Sequence, residues 1–424
     1  MRVPRIDPDR PPPGPFRPQF WRSPLRSPRL TALLGLVLLI GLPIVAVTGL
    51  LSNDAYQPGF STNALGRDVH GPLDLYLFGW PHGPSWLYAF TQGLHVTLGL
   101  ALFPVLLTKL WSVIPRLFEW PPVRSPAHAL ERLTLALLVG GGLFEFVTGI
   151  LNIQYWYAFK FDFTQAHYYG AWVFIAGLVT HVPLKFGTMR RSLRTREEVF
   201  AATAGVMPEV QAHPLVSPNP GQTTMSRRVL LGSVGVASAI LFTQGLGQSA
   251  GGRLRSLAFL LPRGRTRPGP LGFPVNKTWA RAGVELAAVG DGWRLRIEGR
   301  RSISLTRAQL MALPQYTHDL PIACVEGWST TQSWTGVRVQ DLAGMVGVEG
   351  PATVTSISLE HGNYGEATLG HEQVADARTL LALSVNGEAL SLDHGYPARI
   401  ISPAIPGVHC TKWVTEMRFT ELSA

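Results

Sequence analysis

The chain has 424 residues, of which 46% are hydrophobic and only 15% charged. Soluble domains carry about 25% charged residues, so this deficit points to a bilayer, and the length argues for more than one unit. The 37 basic and 27 acidic residues leave +10, while two cysteines exclude a disulfide scaffold, a Cys-ligated zinc site and a cysteine-held iron–sulfur cluster.

Residues 1–29 contain seven arginines and many prolines and read as a disordered basic tail. Residues 30–51 carry no charge, and about 22 residues suffice to cross a hydrocarbon core of roughly 30 Å. Further apolar runs follow at 86–107, 130–150 and 166–184, and a shorter one rich in Gly, Ser and Ala at 229–246. No small-residue cleavage site follows the first run, so it is not a signal peptide. The pattern predicts an all-α transmembrane bundle of four helices over 30–189 and a fifth, anchoring helix over 227–250.

Basic residues crowd the tail, the connection 109–132 and the segment 185–228, which holds Arg190, Arg191, Arg194 and Arg196. The alternate loops hold few, Arg67 in one and Lys160 in the other. The positive-inside rule then sets the N-terminus in the cytoplasm and everything after the fifth helix outside a cell membrane. The charge excess is a topology signal, and nucleic acid is not an expected partner.

Ionisable residues within spans are costly and usually functional. His95 falls inside the second helix, and His167 and His181 bracket the fourth. The 14-residue step between the latter returns to within about 40° of the same face and rises about 21 Å. That spacing suits imidazole ligands to one or two haem b groups, as in b-type cytochromes; the plainer alternative is hydrogen bonding within the bundle. A His pair leaves iron no open position, which suits electron transfer. His82, flanked by Pro81 and Pro84, is expected ahead of the helix, and His70 and His128 sit ambiguously near span ends. A c-type haem has no C-x-x-C-H run to hold it.

Residues 190–226 read as a linker, ending in Ser226-Arg-Arg-Val-Leu-Leu231 before the fifth helix. Twin arginines there resemble a twin-arginine export signal, with an ordinary positive flank as the alternative. Residues 251–270, rich in Gly, Arg and Pro, read as a second linker.

From 271 to 424 the text turns to short alternating runs, with strands expected at 293–298, 353–359, 398–402 and 414–420 and helices at 306–313 and 339–346. This is a β-rich α+β domain. Its chemistry centres on Cys324 in Ile322-Ala-Cys-Val-Glu-Gly-Trp-Ser329. A buried structural cysteine and a Cys324–Cys410 disulfide are the alternatives to a functional thiol.

That motif, with Trp334-Thr-Gly-Val, Asn386-Gly-Glu-Ala-Leu, His394-Gly-Tyr-Pro-Ala-Arg-Ile-Ile-Ser-Pro403 and Lys412-Trp413, resembles the molybdopterin-binding domain of the sulfite oxidase family. Its Cys-Val-Glu start is similar to the branch that includes the methionine sulfoxide reductase catalytic subunit. The resemblance implies Cys324 as molybdenum ligand, Arg399, Thr411 and Lys412 on the pterin phosphate, and His394 and Asn276 as further cofactor contacts. Ala398 and Cys410 depart from the family pattern, and the arginine pairs expected for sulfite are not evident near Cys324. Glu326 and Tyr364 are acid–base candidates by proximity alone. The stretches Thr91-Gln-Gly-Leu-His95 and Ala166-His-Tyr-Tyr-Gly-Ala-Trp172 resemble the cytochrome b-type subunits that serve such enzymes.

These expectations describe a molybdopterin-dependent oxidoreductase in the lipid bilayer. It would exchange an oxygen atom with a small, sulfoxide-like or other substrate outside the membrane, with haem b relaying electrons to or from quinone. The alternative is a non-enzymatic, haem-carrying membrane protein with a degenerate outer docking domain. A haem-only ferric reductase is disfavoured because no flavin or nicotinamide motif occurs.

Overall fold

The computed structural model describes residues 10–56, 80–161, 163–194, 215, 217–265, 270–362 and 364–422. It divides into two units, one from residues 1–46 and 97–243 and the other from 47–96 and 244–424. His70, Arg67 and most of the 190–226 linker lie outside the described residues.

Five helices are long and apolar enough to cross a membrane: α1 (Pro28–Tyr56), α2 (Leu87–Leu117), α3 (Pro126–Ile153), α4 (Phe163–Arg194) and α5 (Arg227–Ala250). Each outruns the uncharged stretch that predicted it, because its ends continue into polar residues. Serine starts three of them. The Ser27, Ser125 and Ser226 hydroxyls accept from the backbone N–H groups of Leu30, His128 and Val229, satisfying donors that the first turn leaves open. In the first unit Leu34, Leu38 and Leu42 of α1 pack with Leu102, Val105 and Leu106 of α2, Phe146 of α3 and Phe174 of α4. A Cβ on Gly177 would stand 2.9 Å from the Leu138 backbone nitrogen, so α3 and α4 approach as closely as they do only because that residue is glycine.

Two segments expected to be irregular are structured. From residue 10 the tail folds back in its own unit: Phe16 meets Phe118 at 5.6 Å between ring centroids, and the Arg26 guanidinium covers Trp111 at 4.6 Å. Aromatic and cation–π contacts give these residues the anchorage that composition concealed. The presumed second linker forms a 3-10 turn, Gly252–Leu257, and a short helix, Pro262–Arg265, and it buries Ala258 and Leu261.

The second unit holds two five-stranded sheets. In the first the order is β2 (Ser302–Thr306), β1 (Arg294–Glu298), β10 (Val414–Glu421), β5 (Ala352–Ser358), β6 (Glu366–Leu369), with β1 and β10 parallel. The second runs β3 (Tyr316–Ala323), β4 (Ser329–Arg338), β7 (Leu380–Val385), β8 (Glu388–Ala389), with β9 (Arg399–Ile401) also paired to β7. Trp334, Leu295, Ile297, Leu320, Leu380 and Met417 fill the core. The expected helices appear as Arg307–Ala312, started by a Thr306–Gln309 capping box, and Val339–Met345.

Candidate active site

Antiparallel β3 and β4 meet at the pair Ala323–Ser329, and the five residues between them carry Cys324. The turn closes on itself: Cys324 N–H donates to Trp328 O at 3.0 Å and Gly327 N–H to Cys324 O at 2.9 Å. Gly327 takes φ +84°, a left-handed conformation that favours glycine. Cys324 is half-buried and Cys410 buried, and both thiols are free, which removes the disulfide alternative.

Asn276 donates its amide N–H to the Cys324 sulfur. Its own oxygen is fixed by Trp328 Nε1 at 2.9 Å and Arg263 Nη2 at 3.0 Å. Arg263 belongs to the segment expected to be a linker, and it is one arginine, not a pair, bonded to the asparagine that holds this thiol. The Glu326 carboxyl bonds to Cys324; burial pushes both groups' pKa values up, and the Glu326 charge adds to the rise at the thiol. One Glu326 carboxyl oxygen is buried without a hydrogen-bond partner among the described residues.

A cationic cradle forms a few residues away along the segment 273–277. Phe273 lies against the His394 ring at 3.8 Å between centroids, Asn276 reaches Cys324, and the Lys277 carbonyl accepts from Lys412 Nζ. Arg399 starts β9 and donates to His394 O at 3.1 Å and Cys410 O at 3.0 Å, with its guanidinium 5.1 Å from the Trp334 ring. Ile400 N–H donates to Thr411 O at 2.9 Å, which brings Thr411 alongside. Gly395, at φ +104°, gives the room: a Cβ there would lie 3.0 Å from Lys412 Cβ and 3.1 Å from Arg399 Cβ.

Positive charge dominates here, with Glu360 and Asp393 compensating Lys412 only in part. Burial, then the Arg399 charge, lowers Lys412 from 10.5 to about 7. Burial, then Arg399 and Lys412, lowers His394 from 6.5 to about 3, and burial lowers Arg399 from 12.5 to about 10. Thr411 Oγ1 is buried with no hydrogen-bond partner among the described residues, and the His394 ring faces the Phe273 and Pro274 backbone. Buried cations beside an unpaired hydroxyl call for an anion with several acceptor oxygens. A phosphate meets that demand, so His394, Arg399, Thr411 and Lys412 fit the phosphate of molybdopterin, and Cys324 with Asn276 fits the metal end. Tyr364, by contrast, is exposed and lies against Lys277 at 5.7 Å.

Residues that the sequence did not single out hold the Cys324 loop from behind. Gln92 of α2 donates to Val325 O, Gln248 of α5 to Glu326 O at 2.7 Å and Ser249 to Gly327 O at 2.7 Å. Glutamines inside apolar helices are the signal that could have found them, because a buried amide must be satisfied somewhere.

The helix histidines differ in their surroundings. His95, on α2, packs its ring against α1, where a Cβ on Gly49 would be 2.8 Å from its Cε1. His167 has both ring nitrogens bonded to α3, Nδ1 with Thr148 Oγ1 at 2.9 Å and Nε2 with Glu145 Oε2 at 3.2 Å. His181 Nδ1 is buried without a partner among the described residues, and the ring lines a cavity of about 270 Å³ with Lys109, Arg116, His128 and apolar residues of α1 and α4. His82 precedes α2, exposed and bonded to Glu372 at 3.2 Å.

Residues 282–423 match the family model described as oxidoreductase molybdopterin binding domain. The C-terminal part of this chain therefore matches a molybdopterin-binding oxidoreductase domain and is similar to sulfite oxidases. It is 31% identical over 132 residues to the uncharacterized oxidoreductase YuiH of Bacillus subtilis (strain 168), covering 30% of this chain and 66% of that one. It is 29% identical over 154 residues to mitochondrial sulfite oxidase of Homo sapiens, covering 29% of this chain and 28% of the relative. The sulfane dehydrogenase SoxCD of Paracoccus pantotrophus aligns in structure with TM-score 0.29 and 24% identity, covering 31% of this chain and 39% of that one. The chain thus spans about two thirds of the Bacillus relative and under a third of the human one.

Proposed function

We propose that this chain is a membrane-bound molybdenum-cofactor oxidoreductase. It exchanges an oxygen atom with a small, sulfoxide-like substrate on the outer side and passes electrons to or from quinone through haem b. The observation that carries the reading is the half-buried Cys324 thiol, held by Asn276, next to a buried cationic cradle in which the Thr411 hydroxyl lacks a partner among the described residues. Bound there, molybdenum on molybdopterin supplies two-electron oxygen-atom exchange, and a soft thiolate suits such a metal.

The chain's own residues divide the remaining work. Arg399, Lys412, Thr411 and His394 hold the phosphate end and fix its orientation. Asn276 directs an N–H at the Cys324 sulfur, which favours the thiolate form that ligation needs. Glu326, its pKa raised by burial, stands next to that sulfur as the neighbouring carboxyl. In the helices, His95 and His181 are the candidate axial ligands of haem b, and Lys109 and Arg116 in the His181 cavity suit acidic haem substituents. His167 is a third candidate, with Glu145 as its hydrogen-bonding partner. Positive-inside charge supports a cytoplasmic N-terminus and an outer catalytic domain. Arg227 is also tied to the Pro24 and Leu25 carbonyls, a structural use compatible with either a twin-arginine signal or a positive flank.

The test is the purified full chain in detergent, assayed for molybdenum and b-type haem, then reduced with a quinol and offered sulfoxides. Haem reoxidation on sulfoxide addition supports the reading, and haem that stays reduced with every sulfoxide rejects the proposed substrate class.

A further inference from the structure

The three residues after Cys324 have their backbone oxygens taken by side chains from outside the matched domain. Val325 O accepts from Gln92, Glu326 O from Gln248 and Gly327 O from Ser249. The Ser329 hydroxyl donates back to Ser249 O, and Arg255, just after α5, donates to Ser329 O at 3.0 Å. Gly327 itself abuts α2, where an added Cβ would stand 2.7 Å from the Val96 methyls. Gln92 and Gln248 are 4% and 1% exposed, so water does not compete for these bonds. The helices meet each other at the same point, with a Cβ on Gly93 only 2.9 Å from Ser249 Cβ.

From this we propose that Gln92, Gln248 and Ser249 are positioning residues of the molybdenum site, through which the ends of α2 and α5 template the loop that presents Cys324. The proposal rests on the functional reading above. A five-residue turn with one left-handed glycine has few bonds of its own, two within the loop, and the direction of the Cys324 side chain follows the peptide planes beside it. Each latch fixes one of those planes. The matched domain, residues 282–423, contains none of the latching donors, so its metal site is completed by helices outside it.

The experiment uses the full chain with its cofactor. Gln92→Leu and Gln248→Leu remove the amide donors at similar volume, and Gln248→Glu makes the donor titratable. Electron paramagnetic resonance of the one-electron-reduced molybdenum reports the angle and distance of the sulfur ligand, independently of turnover. The expected result is molybdenum content within about twofold of wild type, but a broadened or split signal in both Leu variants. Gln248→Glu should give the wild-type signal at low pH, where the neutral acid donates as the amide does, and the altered one at high pH, where a carboxylate faces a carbonyl. A fold defect alone has no reason to reverse with pH in this way. Signals identical to wild type in all three variants at every pH overturn the inference while leaving the functional reading intact. A wild-type chain without any molybdenum signal overturns both.

Discussion

Lys412→Met separates the cost of the cationic cradle from its use. In the cofactor-free chain Lys412 has a pKa lowered from 10.5 to about 7. Between those values the unfolded chain holds a proton that the native one lacks, so native stability rises with pH. At about 1.4 kcal/mol per pH unit, and with half the native lysines protonated at pH 7, wild type gains about 2 kcal/mol between pH 7 and pH 9 from this group. The Met variant lacks that gain. It also loses bonds to the Lys277 and Asp393 carbonyls, which shifts its whole profile by a roughly constant amount. The comparison is therefore between slopes. Full-length protein from cells unable to make molybdopterin, tested by urea-pulse proteolysis of the C-terminal domain at several pH values, supplies them. With cofactor present the sign reverses: one buried charge-assisted bond to phosphate is worth about 1.5–3 kcal/mol, so the variant should retain cofactor roughly 10- to 100-fold less well. Parallel pH profiles for the two cofactor-free proteins refute the reasoning.

Cys324→Ser should abolish oxygen-atom transfer while leaving the b-type absorbance unchanged; survival of activity with molybdenum bound contradicts the ligand assignment. His95→Ala and His181→Ala should each diminish b-type absorbance, whereas His82→Ala should not, since His82 is exposed and bonded to Glu372; a full loss on His82→Ala contradicts this ordering. Trp334→Ala removes a fully buried indole that packs on Phe273 and lies under Arg399, and should destabilise the domain by about 3–5 kcal/mol in the same proteolysis assay. A cost under about 1 kcal/mol contradicts its place in the core.

How much of this was legible varies with how local the cause is. The alternation in β5, whose burial runs strictly in and out, was visible in Thr353-Val-Thr-Ser-Ile-Ser, and the Thr306–Gln309 capping box marks the start of its helix. β3 was not legible: it carries His318, Asp319 and Pro321, and it forms because it lies at a sheet edge, where such residues are tolerated. β7 is buried on nearly every residue, and a continuous apolar run does not distinguish strand from helix. Cys324, Asn276, His394, Arg399, Thr411 and Lys412 were proposed through motif resemblance, and the structure brings Cys324, His394 and Lys412 against the segment 273–277 that carries Asn276. Gln92 and Gln248 lie far from Cys324 in sequence, and nothing local links an amide in an apolar helix to a loop carbonyl. Arg263 was missed for a similar reason, because a Gly/Arg/Pro-rich stretch suggests a linker and only tertiary contacts give it structure.

The central claim is that Cys324 and the Arg399–Lys412 cradle hold a molybdenum cofactor. Its most direct test is elemental analysis of purified full-length chain from a molybdenum-replete host, beside the Cys324→Ser and Lys412→Met variants. The account predicts molybdenum equimolar with the wild-type chain and less of it in Lys412→Met. Homogeneous, folded wild-type protein without molybdenum would contradict it.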